Sequence, residues 1–353
     1  TFLSILKACA LIGALFKGRL IHDEVIRCGL ICRAFNNSLI DMYAKCGSLE
    51  DALSIFDGLT DKNVVSWGAL MAGYADCECK CSLVFELFEK MKEEGIEPNR
   101  PVFLCVLKAC SLLRDMTRGH LLHCELIKVE LDREPAIGNT LIDMYTKLGF
   151  LEDACRVFEK LSVRNIVSWD VRISGLVQHG HNLLALDIFK KMQQEGLKPN
   201  KYTFSNILKA FSMQGSVDDV KGLHDQLVKC SFESCIVTMN TLIDVYGKSG
   251  YICEASNVFE ALQNRDIVSW GTLIASCVQH GLDHTSLAYF ERMQVEGFSP
   301  NEAVYVSILK ACIMVGMPLQ SMILHHQIIR AGIRLDVAIG TTLINMYGKL
   351  GHI

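Results

Sequence analysis

Cysteine and histidine are the residues in this 353-residue chain best suited to hold a metal or carry a nucleophile, and 16 cysteines and 11 histidines are present. Their spacing points elsewhere. Thiolate zinc sites are built from paired Cys-x2-Cys halves, and the sequence contains no Cys-x2-Cys. Cys77, Cys79 and Cys81 crowd one segment, but alternate residues do not supply such a pair. His22-Asp23-Glu24 and His123-Cys124-Glu125 spell the His-x-Glu of zinc deaminases. The same histidine returns as His224 and His325, followed there by Asp225-Gln226 and His326-Gln327, and a catalytic dyad is not copied into every repeat. A phosphate-cradling glycine loop and a nucleophile elbow are missing as well. The sequence therefore predicts no catalytic residue, no metal and no cofactor in this chain.

Lysine and asparagine recur in a stricter register. Lys7, Lys108, Lys209 and Lys310 follow one another at 101 residues within ILKAC or a near copy. The phrase LIDMYAKCG at Leu39 returns at Leu141, Leu242 and Leu343, after 102, 101 and 101 residues. It brings back Lys45, Lys147, Lys248 and Lys349, and Asn37, Asn139 and Asn240 just ahead of it. VSW places Trp67, Trp169 and Trp270 on the same period, and Pro98, Pro199 and Pro300 each precede an asparagine. A repeat of this kind means an array in which each unit buries its apolar face only against its neighbours. The boundaries are 1–32, 33–63, 64–99, 100–134, 135–165, 166–200, 201–235, 236–266, 267–301, 302–336 and 337–353, with both ends cut. One extra residue, around Asp76 to Cys81, accounts for the single 102.

Each unit reads as two antiparallel helices. In 236–266 the first is expected near Asn240–Lys248 and the second near Cys253–Leu262, with Gly250 as the break and Ala255, Val258, Phe259 and Leu262 at helical spacing. Phe56, Phe158, Phe189 and Phe290 repeat the apolar anchor. Ser48 ahead of Glu50 and Asp51, and Ser216 ahead of Asp218 and Asp219, read as capping hydroxyls with first-turn acids. Cys9, Cys110 and Cys312 share one place in their units, with Phe211 in the fourth, which marks them as core.

VSW openings, LKAC helices, the LIDMYxKxG phrase and terminal Pro-Asn, in cycling units of about 31 to 36 residues, resemble the plant pentatricopeptide repeat family over the whole chain. More narrowly they are similar to its subclass of cycling P, L and S repeats. P units then fall at 64–99, 166–200 and 267–301. L units fall at 1–32 (partial), 100–134, 201–235 and 302–336. S units fall at 33–63, 135–165, 236–266 and 337–353 (partial). The resemblance implies an all-α, right-handed α-solenoid of helix-turn-helix repeats. It also implies binding of single-stranded RNA, about one base per repeat.

In the family the base is read by the fifth and last residues of a repeat. On this chain that carries over to Asn37 with Asn63 and Asn139 with Asn165, which resemble pyrimidine readers, and Asn240 with Asp266, which resembles a uracil reader. Gly68 with Asn99 and Gly271 with Asn301 lean to adenine. Asp170 with Asn200 fits no letter, and Thr341 leans to a purine. The L units place Leu3, Leu104, Ser205 and Val306 fifth, in keeping with weak readers or spacers. A helix offers a physical reason for the stripe, since residues four apart drift only about 40° around it; Asn240, Asp244 and Lys248 share one line. Val237 lies beside that line, and it and its equivalents Val65, Val167 and Val268 are expected to wedge between bases. Lys45, Lys147, Lys248 and Lys349 are expected to touch phosphates. The competing expectation for the last residues is plain helix capping, since each precedes a first helix.

The formal net charge of −4 requires any phosphate-tracking cations to be segregated on one face, with the acids crowding the second helices. The many cysteines at no disulfide spacing fit a reducing compartment. No apolar run reaches the roughly 18 residues of a membrane span, and neither a basic leader nor a transit segment is visible. The resemblance implies single-stranded organellar RNA as the partner, in mitochondria or chloroplasts, with other editing factors beside it and no small-molecule substrate. It further implies a specificity part for C-to-U editing whose deaminase domain would lie outside this stretch. The alternatives are a peptide-binding scaffold, or an RNA stability or splicing factor without editing.

Overall fold

The structure is a computed structural model and describes residues 2–30, 32–214, 217–334 and 336–349. Among them are twenty-one α-helices, two short 3-10 turns and no strand, so the chain is all-α. It divides into two compact units, Thr1–Gly175 and Leu176–Ile353. The first contains α1 (Phe2–Ile12), α2 (Leu15–Arg27), α3 (Arg33–Lys45), α4 (Leu49–Asp57), α5 (Val64–Asp76), α6 (Leu83–Glu93), α7 (Arg100–Leu113), α8 (Met116–Lys128), α9 (Pro135–Lys147) and α10 (Leu151–Lys160). The division falls within α11 (Ile166–Gln178). The second contains α12 (Asn182–Gln194), α13 (Lys201–Gln214), α14 (Val217–Lys229), α15 (Ile236–Lys248), α16 (Ile252–Ala261), α17 (Ile267–Gln279), α18 (Asp283–Val295), α19 (Glu302–Val315), α20 (Pro318–Arg330) and α21 (Val337–Lys349).

Odd-numbered helices pack on one another in a row, α1 through α9 in the first unit and α13 through α21 in the second; α2, α4, α6, α8 and α10 in the first, and α14, α16, α18 and α20 in the second, fold back on the odd helix before them, while α12 packs against α13. The pair expected in 236–266 is α15 and α16; α15 starts at Ile236, four residues before Asn240. Glycine ends the phrase LIDMYxKxG for a conformational reason. Gly47, Gly149 and Gly250 hold φ of 80°, 85° and 83°, a left-handed turn that stops the first helix and launches the second.

Aromatic contacts tie neighbouring hairpins. Phe56 meets Trp67, Phe158 meets Trp169 and Phe259 meets Trp270 edge-on, with ring centroids 4.7, 4.9 and 4.6 Å apart; each such pair adds about 0.5–1.5 kcal/mol beyond its area. Cys9, Cys110 and Cys312 are buried. Burial pushes the Cys110 and Cys312 thiols up to about 12 and about 11, so both stay protonated and pack as small apolar groups. The recurring histidines are structural too. Nδ1 of His22, His123, His224 and His325 lies 2.9, 2.8, 3.3 and 2.8 Å from the hydroxyl of Tyr43, Tyr145, Tyr246 and Tyr347.

First helices approach so closely that one of each facing pair of residues is very small. A Cβ on Gly73 would stand 2.5 Å from that of Ala44, and one on Gly175 would stand 2.4 Å from Thr146 Cγ2. In the second unit the order reverses, and a Cβ on Gly247 would stand 2.0 Å from Ser276 Oγ.

One capping expectation needs correction. Ser48 stands before α4, yet its hydroxyl accepts no backbone N–H. It donates instead to the Asp51 carboxylate at 2.7 Å, which also receives Arg19 at 2.8 Å. With φ −92° and ψ 68° Ser48 lacks the extended backbone of a capping residue, and the two bonds hold Asp51 below the usual carboxylate range. Ser216 lies outside the described residues.

Candidate nucleic-acid interface

The first helices α3, α9 and α15 present the same line of side chains. Asn37, Asp41 and Lys45 follow one another at four-residue steps on α3, as do Asn139, Asp143 and Lys147 on α9, and Asn240, Asp244 and Lys248 on α15. Each lysine is engaged by the aspartate one turn before it, at 2.9, 2.7 and 2.7 Å. The lysines were legible on this line from the sequence; their pairing was missed, although the i,i+4 spacing signals it. Exposed pairs of this kind contribute at most a few tenths of a kcal/mol, so a phosphate can take the ammonium from its aspartate. On α21, where Asn345 replaces the aspartate, Thr341 and Lys349 are exposed. Beside the line, Val65, Val167, Val237 and Val268 are 54%, 51%, 65% and 52% exposed.

The fifth-position amides share a second property. Oδ1 of Asn37, Asn139 and Asn240 is buried and has no hydrogen-bond partner among the described residues. With Oδ1 turned inward, the accessible edge of the Asn37 and Asn139 amides is Nδ2, a donor. In Asn240 that Nδ2 donates to Asp266 Oδ1 at 3.1 Å, so residues 26 positions apart in sequence meet as one polar edge.

The last residues do cap helices. Asn63 Oδ1 accepts from the N–H of Val65 and Ser66, Asn99 from Val102, Asn165 from Ser168, Asn200 from Tyr202 and Thr203, and Asn301 from Val304. Asp266 Oδ1 accepts from the Ser269 N–H at 2.8 Å and from its hydroxyl at 2.9 Å. Burial works against the Asp266 carboxylate, but the Ser269 and Asn240 hydrogen bonds outweigh it and keep the group ionised below its usual range. Capping and recognition are compatible, because a cap uses one oxygen. Asn63, Asn99, Asn165 and Asn301 keep Nδ2, a donor; Asp266 keeps Oδ2, an acceptor. Where the last residue is Cys32, Glu134 or Cys235, no side-chain cap forms.

In the first unit several of these groups line one open cavity of about 530 Å³, among them Lys7, Asn37, Asp41, Val65, Gly68 and Asn99. A Cβ on Gly68 would meet only Val102, at 3.5 Å, and one on Gly271 only Val304, at 3.3 Å. Lys108 of the other lysine series is paired with Asp76. Asp170 and Asn200 belong to different compact units.

Comparison with known proteins agrees with this layout. The model of the PPR repeat matches residues 37–64, 139–166, 237–267 and 268–298, that of the pentatricopeptide repeat domain matches 60–111, and that of the PPR repeat family matches 164–213. A mitochondrial pentatricopeptide repeat-containing protein of Arabidopsis thaliana is 33% identical over 306 residues, covering 86% of this chain and 48% of the relative. A chloroplastic one is 34% identical over 313 residues, covering 88% and 51%. The chain thus spans about half the length of these relatives. Among solved structures, the pentatricopeptide repeat protein PPR10 in complex with an 18-nt psaJ RNA element aligns over 96% of this chain and 56% of its own, with a TM-score of 0.62 and 15% identity. That likeness is one of fold. Helical hairpins stacked through their first helices, with matching repeat models along most of their length, make this chain a member of the pentatricopeptide repeat family.

Proposed function

We propose that the chain binds single-stranded RNA along the exposed line of its first helices and reads individual bases with fifth and last residues. The observation that carries this is the contact between Asn240 and Asp266 at 3.1 Å, which joins two hairpins into one recognition edge beside the exposed Val237 and Val268. The relative crystallised with RNA supports the reading. The residual hydrogen-bonding capacity of each cap gives it chemical content. A donor such as Nδ2 of Asn63 or Asn165 suits N3 of cytosine, or O4 of uracil, whereas Oδ2 of Asp266 suits the N3–H of uracil and meets N3 of cytosine unfavourably. The fifth asparagine, offering Nδ2, suits the O2 that both pyrimidines carry. Gly68 and Gly271 leave room for the larger adenine.

In this reading the units cycle as P, L and S, the four recurring lysines from Lys45 to Lys349 hold phosphates, and the array forms the specificity part of an organellar C-to-U editing factor. Organelle-named relatives support a mitochondrial or chloroplast setting. Changing one oxygen tests the scheme. Asp266→Asn replaces an acceptor by a donor and should relax the preference from U towards C, while Asn240→Thr should shift it towards G. Each swap is worth about 1 kcal/mol, the scale of one exposed hydrogen bond. Affinities for four oligonucleotides differing only at that base, equal for wild type and both variants, would defeat the reading.

A further inference from the structure

The VSW phrase carries a serine to which the reading of bases gives no role. It is the third residue of α5, α11 and α17, as Ser66, Ser168 and Ser269, and the same place on α7, α13 and α19 holds Val102, Thr203 and Val304. All six side chains are fully buried. A buried hydroxyl is costly unless it is hydrogen-bonded, and valine fills the same place without that cost. Starting the helix does not require the hydroxyl. Asn99 and Asn301 accept the backbone N–H of Val102 and Val304 at 3.2 and 3.1 Å, and so cap α7 and α19 with no hydroxyl at the third residue.

The hydroxyl adds a second hold on the side chain that precedes the helix. Ser168 donates both its N–H and its O–H to Asn165 Oδ1, each at 3.1 Å. Ser269 does the same to Asp266 Oδ1 at 2.8 and 2.9 Å, and its oxygen accepts the Asp266 N–H at 3.3 Å. Together with Asn240 Nδ2 at 3.1 Å, Asp266 Oδ1 meets three donors. An amide can turn over and exchange its donor for its acceptor; two donors on Asn165 Oδ1 oppose that turn and keep Nδ2 as the group on offer. Ser66 is different, because its hydroxyl accepts the Asn63 N–H at 3.0 Å and donates to the Asn63 carbonyl at 2.8 Å.

We propose that Ser168 and Ser269 are specificity-determining positioning residues, whose buried hydroxyls fix which atom of Asn165 and of Asp266 is offered to a base. The inference rests on the RNA reading above and adds to it a residue that touches no base. Discrimination by one unit then depends on the first turn of the next: two donors from the third residue give a sharp reader, and the single N–H at Asn99 and Asn301 gives a looser one.

The test uses the whole 353-residue chain and four oligonucleotides that differ only at the base facing Asn240 and Asp266. Ser269→Ala keeps the capping N–H and loses the hydroxyl, so the ratio of affinities for uracil over cytosine should fall about threefold, near the low end of what one hydrogen bond contributes. Ser269→Thr keeps a hydroxyl, as Thr203 does where it accepts the Asn200 N–H at 3.1 Å, and should keep the ratio. Val304→Thr has nearly the same shape and gives Asn301 a second donor; it should sharpen the preference at the base facing Gly271 and Asn301 by a similar factor. A serine that only supports the helix would weaken all four oligonucleotides alike. That outcome, or any uracil-to-cytosine ratio in Ser269→Ala equal to that of wild type, overturns the inference and leaves RNA binding intact. Wild type that binds none of the four, or all four equally, overturns the base-reading proposal and the inference with it.

Discussion

Because Asn63, Asn99, Asn165 and Asn301 use Oδ1 to start a helix, substitutions there have two consequences that can be separated. Asn165→Ala removes the acceptor for the Ser168 N–H and should cost about 1 kcal/mol of stability, lowering the urea midpoint whether or not RNA is present. Asp266→Asn keeps a capping oxygen for Ser269, so its midpoint should stay within a few tenths of a kcal/mol of wild type while its base preference moves. A variant that changes both together would mean that recognition at this position is a by-product of helix formation. The histidines make a second residue-level case. Burial, against the pull of Asp132 and Asp153 and with the push of Lys160 and His120, lowers the affinity of His123 for a proton, and burial does the same to His22. The unfolded chain protonates near the ordinary value of about 6.5, the folded chain only below it. Stability from these neutral imidazoles is whole above about pH 6.5 and declines as pH falls through that value. Thermal unfolding should therefore drop between about pH 7.5 and 5.5, and His123→Asn should shrink the drop; a midpoint that rises in acid contradicts it.

At the scale of the element, the packing of first helix on first helix depends on one small residue per facing pair, and which partner is small is interchangeable. Gly247→Ala drives a Cβ into Ser276 and should destabilise by about 1–3 kcal/mol despite the better helix propensity of alanine. Adding Ser276→Gly recreates the Ala44–Gly73 arrangement of the first unit and should restore the urea midpoint; if the double variant stays as unstable as the single one, close approach is not what constrains the pair. Helices were legible in the sequence because their stop signals are chemical: Gly47, Gly149 and Gly250 stand where φ is positive, and the Phe–Trp contacts recur with the period. Pairings were less legible. Ser48 has the right type for a cap, but its backbone lies outside the extended region and its hydroxyl donates to Asp51 three residues on, geometry that residue type alone does not reveal. The lysine line is visible in the sequence, whereas its neutralisation by the aspartates one turn earlier depends on side-chain rotamers that only the structure gives.

For the whole molecule, the RNA reading proposed above must account for a chain of net charge −4 that takes up a polyanion. On that reading the acid-paired lysines of the first helices are exchangeable charge: a phosphate would displace the aspartate from Lys147 or Lys248 at little cost, since the pairs are exposed. Lys147→Ala and Lys248→Ala should weaken all RNA ligands alike and reduce the slope of log K against log salt by roughly 0.7 for each phosphate no longer neutralised. Asp143→Asn and Asp244→Asn should do the reverse for affinity, tightening binding without changing which base is preferred. An unaltered slope in the lysine variants would place those side chains away from the phosphates.

On the RNA reading proposed above the capping residues serve twice, and that limits the vocabulary of the array. Asn63, Asn99, Asn165, Asn200, Asp266 and Asn301 are short and carry an acceptor that starts the next helix, and the residues suited to that are asparagine, aspartate, serine and threonine. Recognition can therefore drift by single exchanges within that set without loss of folding, and it cannot drift outside the set cheaply. The number of letters such a protein can spell is fixed less by the chemistry of bases than by what a helix accepts as its first residue.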